Sequence, residues 1–372
     1  MAKYRIAWMP GDGIGIEVME AARIVLDKLQ LDADYLHGDI GWEFWRTEGD
    51  ALPQRTLDLL DTVDCGLFGA ITSKPKDEAQ QELIPELQGK GLTYRSPIVR
   101  LRQSLQLYYN LRPCKAYPGN PLNYRDDIDL VVFRENTEGE YSGVEYFPIA
   151  DELREMMKKY SSALGAFDDV PGDEMSMTVR VVTIRGAERV IRRAFEYARK
   201  YGRPTVTLVE KPNVLRETSG MMVRVAREVH KEFPEIELWE TNIDAQMMWM
   251  IKNPQDYGVM VTGNLFGDIL SDLCAQLVGG LGFASSGNIG DTLAVFEPTH
   301  GSAPKHAGKN IANPNAMLLT TKMMLDWLGE EDKAKALEDA IADVILEGKV
   351  RTYDMGGDSS TLDVANAVAL RI

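Results

Sequence analysis

The 372-residue chain has only three cysteines, Cys65, Cys114 and Cys274, which lie far apart and lack C-x-x-C spacing. That excludes a disulfide framework and a cysteine zinc site; the three read as small buried hydrophobes in a reducing, cytoplasmic setting. Histidine is scarce as well, with four residues and no metal-ligand spacing among them. No apolar run approaches the roughly 20 residues of a membrane span. The N-terminal Met-Ala-Lys-Tyr-Arg-Ile-Ala-Trp enters a strand pattern directly, with no signal-peptide region. Positive charge is in short supply: 41 Lys and Arg against 57 Asp and Glu leave a net charge of −16. Such a surface disfavours nucleic acid and anionic membranes as partners. Internal repeats and low-complexity tracts are absent.

What remains is a chain with 44% apolar residues, enough for real cores, and long enough to favour two domains over one. Apolar runs at Tyr4–Met9, Val63–Ala70, Asp129–Arg134, Met177–Ile184, Thr205–Val209 and Gly258–Thr262 read as strands. Helical periodicity at about Ile16 to Leu29, Ile98–Leu107, Ala187–Lys200 and a terminal Glu330–Leu346 alternates with them, which argues an α/β fold. Residues 72–95 read as a long polar surface loop, with room for a short helix, of the kind that borders sites. Val278–Gly290 is glycine-dense and reads as a turn-rich crossing between domains. The first strand meets Pro10-Gly-Asp-Gly-Ile-Gly15. Its G-x-G-x-G spacing is not the G-x-G-x-x-G of a dinucleotide fingerprint, so it is weak support for a phosphate site.

Two local patterns carry chemistry. Between Arg95 and Arg134 lie six arginines and Lys115 against three aspartates, a basic island in an acidic protein. Arginine suits bidentate carboxylate recognition, so the island suggests a site for a small anion; the plain alternative is a solvated charged face. In Thr262-Gly-Asn-Leu-Phe-Gly-Asp-Ile-Leu-Ser-Asp272, Asp268 and Asp272 stand four residues apart. If residues 267–272 open a helix, both carboxylates share a face, a set suited to Mg²⁺ or Mn²⁺. The plain alternative is an acid pair near a helix N-terminus.

Several separated motifs then agree: Pro10-Gly-Asp-Gly-Ile-Gly15, Leu101-Arg102, Asn110-Leu-Arg-Pro113, Arg134-Glu-Asn-Thr-Glu-Gly-Glu-Tyr141, Lys211-Pro-Asn-Val214, Asn264-Leu-Phe-Gly-Asp-Ile-Leu-Ser-Asp272 and Glu297-Pro-Thr-His-Gly-Ser-Ala-Pro304. In this order, over nearly the whole chain, they resemble the metal-dependent β-decarboxylating dehydrogenases acting on isocitrate, homoisocitrate, isopropylmalate and tartrate or malate. The resemblance implies a two-domain fold in which residues 1–107 and 279–372 form the larger domain and 108–278 the smaller, with 139–183 as a dimerisation arm. It implies that Arg102, Arg112 and Arg134 grip the carboxylates of a (2R,3S)-malate-type substrate. Asp244, Asp268 and Asp272 would bind the metal, Lys211 would help remove the hydroxyl proton, and Tyr141 would protonate the enol. Read in isolation, Lys211 is a surface lysine and Tyr141 a core or rim tyrosine. The family donates Lys211 and Asp244 across a two-fold axis, so a homodimer or larger homo-oligomer is implied.

The cofactor residues implied are Glu297, His300, Gly301, Ser302, Ala303, Pro304, Lys305, His306, Asn313, Tyr353 and Asp354. Lys305-His306 stands where NAD-preferring relatives carry Asp-Ile, and a cation there favours NADP. Gly357 replaces an arginine of the NADP pattern, which leaves NAD open. Substrate choice rests on Ser96 and Ile98. Serine matches isocitrate enzymes; Ile98 replaces their asparagine and resembles some homoisocitrate enzymes. The reading is therefore isocitrate, with homoisocitrate next and isopropylmalate or tartrate/D-malate after it. Two rivals differ in kind: a metal-free Rossmann dehydrogenase, which leaves the aspartates and arginines idle, and a silent regulatory subunit, which this chain contradicts by keeping every catalytic position.

Overall fold

The computed structural model describes residues 2–372. Twelve strands occur among them: β1 Tyr4–Gly11, β2 Ala33–His37, β3 Cys65–Ala70, β4 Tyr109–Lys115, β5 Asp129–Glu135, β6 Glu145–Tyr146, β7 Met177–Thr178, β8 Thr205–Glu210, β9 Glu237–Asn242, β10 Val259–Thr262, β11 Ser285–Ile289 and β12 Ala294–Pro298. Ten form one sheet in the order β2-β1-β3-β12-β11-β4-β5-β10-β8-β9; β6 and β7 make a separate ribbon. Pairing is parallel on both flanks, while β11 is antiparallel to β12 and β4, and β4 to β5. The fold is thus α/β, with helices covering strands that are buried along their whole length, such as β3 and β8. One apolar cluster is drawn entirely from Val131 to Val261, whereas the largest gathers residues from both chain ends, among them Val18, Phe296 and Ile341.

The three cysteines are buried and free, as their spacing suggested. Several boundaries differ from expectation. Residues Met177–Ile184 do not form one strand: only Met177–Thr178 pairs, with Glu145–Tyr146, and a helix begins at Ile184 because Thr183 caps it, accepting a hydrogen bond from the Gly186 N–H at 2.9 Å. The glycine-dense 278–290 segment is not all turn. It contains β11, fully buried in the middle of the sheet. Small residues are needed there, since a Cβ on Gly287 would stand 2.9 Å from the Phe296 ring. Glu331–Glu347 is not the terminal helix; Thr361–Ala369 follows, started by a Ser360/Asp363 capping box. The helix expected over Ile98–Leu107 runs Pro97–Ser104, after which Gln106 takes a positive φ of 52°.

Among the described residues, no helix is long and apolar enough to cross a membrane.

Candidate active site

The glycine turn after β1 serves packing. A Cβ on Gly11 would lie 2.0 Å from the Ala70 carbonyl oxygen, and one on Gly13 2.1 Å from that of Ser302. Both glycines also hold positive φ. The turn therefore lies directly against the His300–Pro304 loop. The Ile14 N–H donates to the Ser302 carbonyl at 2.9 Å, and the Ser302 and Thr72 hydroxyls meet at 2.6 Å. Asp12 ties in a third segment by accepting from the N–H groups of Thr72 (2.8 Å) and Trp42. Its burial raises its pKa against the pull of those two N–H groups.

Beyond this loop lies a cavity of about 550 Å³ whose walls include Thr72, Ile98, Arg102, Arg112, Glu297, His300 and Ser302. Gly301, Ala303 and Pro304 line it too. The remaining cofactor candidates gather nearby in the chain's own contacts: the His306 ring stacks on Tyr353 with centroids 5.7 Å apart, and the Asn313 amide donates to Asp354 at 2.9 Å. Lys305 is exposed beside His306. Burial lowers the pKa of His300, which keeps its ring neutral.

The basic island divides. Arg100 pairs with Asp50 and Arg125 with Asp127 at the surface, so the solvated-face reading holds for them. Arg102, Arg112 and Arg134 are 6%, 7% and 1% exposed and converge. Strand register explains this for Arg112 and Arg134, while Arg102 comes from the helix Pro97–Ser104 and bonds Asn288. Asn288 of β11 is level with Asn110 of β4, which is level with Arg134 of β5, so this row shares a sheet face; Arg112, two residues from Asn110, shares it too. Arg112 approaches Asp272 at 3.0 Å and Asp268 at 3.4 Å, and Arg134 is hydrogen-bonded to Asp268. Burial and the mutual repulsion of the three guanidiniums lower the pKa of Arg134.

Asp268 and Asp272 belong to the helix Asn264–Gln276, which opens three residues earlier than expected from 267. Asp268 therefore lies beyond the first turn, and the positive potential around it comes from arginines more than from helix N–H groups. Burial would raise its pKa, but Arg134 and Arg112 carry it below the usual value. Its second oxygen accepts from the Tyr141 hydroxyl at 2.6 Å; burial and that bond raise the tyrosine's pKa, keeping its proton in place.

The two aspartates, one helical turn apart, are hard oxygen donors that suit Mg²⁺ or Mn²⁺. The set is incomplete within one chain. Among the described residues, no group of three or more His, Cys, Asp or Glu could hold an ion. Asp244, 67% exposed, is instead bonded to Lys211 at 2.5 Å. Lys211 follows Glu210, whose buried carboxylate is held by Arg180 (3.1 Å), the Ser219 hydroxyl (2.5 Å) and the Gly263 N–H (2.8 Å). Ser96 occupies the N-cap of the helix Pro97–Ser104 yet makes no capping bond, which leaves its hydroxyl free beside Ile98.

Sequence reasoning missed the polar residues behind the arginines. Asn110, Asn136 and Asn264 lie within the family-like motifs without a role of their own, and Asn288 lies outside them. The available signal was an uncharged amide within the strands of Asn110 and Asn288, at the start of the helix of Asn264, and just past β5 at Asn136.

Comparison with known proteins places this arrangement. The model of the isocitrate/isopropylmalate dehydrogenase family matches residues 5–368. The chain is 43% identical to protein DlpA of Legionella pneumophila over 98% of its own length, and it spans 58% of that protein. It is 42% identical to 3-isopropylmalate dehydrogenase of Archaeoglobus fulgidus over 98% of both chains. Identity to isocitrate/homoisocitrate dehydrogenase of Thermus thermophilus is 40%, covering 98% of this chain and 97% of that one. The crystal structure of isocitrate dehydrogenase from Methylococcus capsulatus superposes with a TM-score of 0.85 at 39% identity, over 99% of each chain.

Proposed function

The chain belongs to the isocitrate/isopropylmalate dehydrogenase family, and from that premise we propose that it oxidises and decarboxylates isocitrate to 2-oxoglutarate and CO₂, with NADP favoured over NAD and with Mg²⁺ or Mn²⁺. The observation that carries this reading is the convergence of three buried guanidiniums on a helix bearing two carboxylates. A malate-type substrate has carboxylates on adjacent carbons, and three fixed guanidiniums can hold them so that the C2 hydrogen keeps one direction. On binding, Arg112 and Arg134 exchange contact with Asp268 for substrate oxygens, which releases the aspartate. The cation, held by Asp268, Asp272 and a second subunit's counterpart of Asp244, would polarise the C2 oxygen, and the nicotinamide would accept hydride.

Tyr141 is the proton donor to the enol, since its hydroxyl stays protonated and already points at the acid pair. Lys211 takes the hydroxyl proton in the neighbouring subunit's site. Dimer formation is supported by apolar side chains left in solvent near the acids: Met248 and Ile251 on Asp244's helix, and Ile269 beside Asp268. The 139–183 segment, with Phe147 and Tyr160 exposed, is the arm of the same interface. Closure of the 1–107 and 279–372 domain on the 108–278 domain would exclude water.

A second reading, homoisocitrate, is favoured by one observation: Ile98 borders the cavity next to Arg102, where an amide would have reached a distal carboxylate. A panel of isocitrate, homoisocitrate, isopropylmalate and D-malate, each assayed with Mg²⁺ and with EDTA, tests both. Isocitrate should give the highest kcat/KM and chelation should abolish turnover. Preference for isopropylmalate or D-malate, or activity that persists in EDTA, refutes the proposal.

A further inference from the structure

Each of the three arginines is held in the same way at its inner edge. Arg102 Nε donates to Asn288 Oδ1 at 2.8 Å, Arg112 Nε to Asn110 Oδ1 at 2.5 Å, and Arg134 Nε to Asn264 Oδ1 at 3.0 Å. All three asparagines are 0–1% exposed. Their amide orientation is determined from the other side as well, because every Nδ2 has an acceptor. Asn288 Nδ2 donates to Glu297 Oε1 at 2.7 Å, Asn110 Nδ2 to Asn288 Oδ1 at 2.9 Å, and Asn264 Nδ2 to the Glu138 carbonyl at 3.1 Å. The oxygen is thereby left for the arginine.

We propose that Asn110, Asn264 and Asn288 are positioning residues which aim the three guanidiniums with a neutral acceptor at Nε and so leave the positive charge of Arg112 and Arg134 for the substrate, while Arg102, already facing Glu297 at 3.2 Å, is spared a second anion. This rests on the reading above, in which those arginines bind the hydroxy acid's carboxylates. The chemistry of the choice is specific. A buried arginine needs its Nε–H satisfied, and a carboxylate would do so most strongly. A carboxylate at that edge would also set a permanent anion against each guanidinium, and an incoming substrate anion would meet a neutral pair in place of a cation. An amide oxygen satisfies the donor and fixes the plane without cancelling charge. Arg112 and Arg134 then turn Nη atoms toward Asp268 and Asp272, with a second Arg134 Nη on Asn264 at 2.8 Å and Arg112 Nη1 also on the Ser271 hydroxyl at 2.6 Å, whereas Arg102 Nη2 meets the Glu297 carboxylate at 3.2 Å. Asn288 has a second task. Its single oxygen also accepts from Asn110 and Asn136, at 2.9 and 3.0 Å, so Arg102 and Arg112 are aimed by one connected network running from β12 to the end of β5.

Asn264→Asp keeps the acceptor for Arg134 Nε and adds a charge while giving up the Nδ2 bond to the Glu138 carbonyl, so KM, not stability, is its decisive readout. At saturating Mg²⁺ its KM for the hydroxy acid should rise about tenfold or more, with KM for the nicotinamide cofactor unchanged, while the broken bond to the Glu138 carbonyl lowers the thermal midpoint on either reading. A purely structural amide predicts the lowered midpoint with an unchanged KM. Unchanged KM in Asn264→Asp, or equal shifts in both KM values, overturns the proposal. Asn288→Ser provides an independent arm. Lysine has no Nε–H edge, so the KM penalty of Asn288→Ser should shrink in an Arg102→Lys background to the part that acts through Asn110 on Arg112; equal penalties in the two backgrounds overturn the proposal. If Arg134→Ala raises KM while Asn264→Asp does not, the amide proposal fails alone. Wild-type protein that turns over no hydroxy acid of the panel overturns both readings.

Discussion

Two variants, each inactive alone, should restore activity when their subunits are mixed. The first is Lys211→Met and the second Asp272→Asn. In one chain Lys211 is engaged with Asp244 at 2.5 Å, whereas Asp268 is occupied by Arg134, Arg112 and Tyr141 and has no third acid near it. If the lysine serves the opposite site, a mixed dimer has one site lacking both groups and one site intact. Random pairing of equal amounts makes half the dimers mixed, with one good site of two, so activity should recover to about a quarter of wild type. If the lysine serves its own chain, both sites of the mixed dimer are defective and recovery is nil. Co-expression with two affinity tags isolates the mixed species, and the initial rate of reduced-cofactor absorbance measures it; the purified mixed dimer should reach about half the wild-type rate. Mixed dimers no faster than either parent would refute the shared-site reasoning, as would a fully active monomer in sedimentation.

Further outcomes follow from other parts of the molecule. Burial works to raise the pKa of Glu338, but its bonds to Lys115 and Lys322 hold it at about 2, against its usual 4.5. Its stabilising contribution is therefore whole above about pH 4.5 and lost as pH falls towards 2; Glu338→Gln should lower the thermal midpoint at pH 7 and narrow the gap to wild type in acid. Gly13→Ala would drive a Cβ to 2.1 Å from the Ser302 carbonyl at a φ of 57°, so it should cost about 1–3 kcal/mol or more and raise KM for the cofactor above that for the hydroxy acid. Calorimetry and the two KM values check it. Lys305→Asp should reduce kcat/KM for NADP at least tenfold and leave NAD turnover equal or better; equal losses with both cofactors would remove Lys305 from the 2′-phosphate site.

The α/β class, strands β1, β3, β5, β8 and β10 and the acid and arginine motifs were legible in the chain because each depends on local pattern. Periodicity marks strands and helices, and the i, i+4 spacing of Asp268 and Asp272 holds wherever their helix begins. Local pattern was least informative where the environment overrides propensity. Residues 285–289 are small and polar, yet they form a central strand because only small side chains fit against Phe296 and because Asn288 finds five polar partners there. The glycine turn after β1 was ambiguous for a similar reason, since whether a glycine faces a phosphate or another loop is decided by what packs onto it. Composition likewise could not separate Arg102, Arg112 and Arg134 from Arg100 and Arg125. Sheet register, which brings strands distant in sequence level with one another, selected Arg112 and Arg134, and the helix Pro97–Ser104 delivers Arg102 to the same face through Asn288. The sequence by itself determined which groups are available for chemistry; tertiary structure decided which are desolvated together, since only burial beside specific partners turns a charge into a binding site.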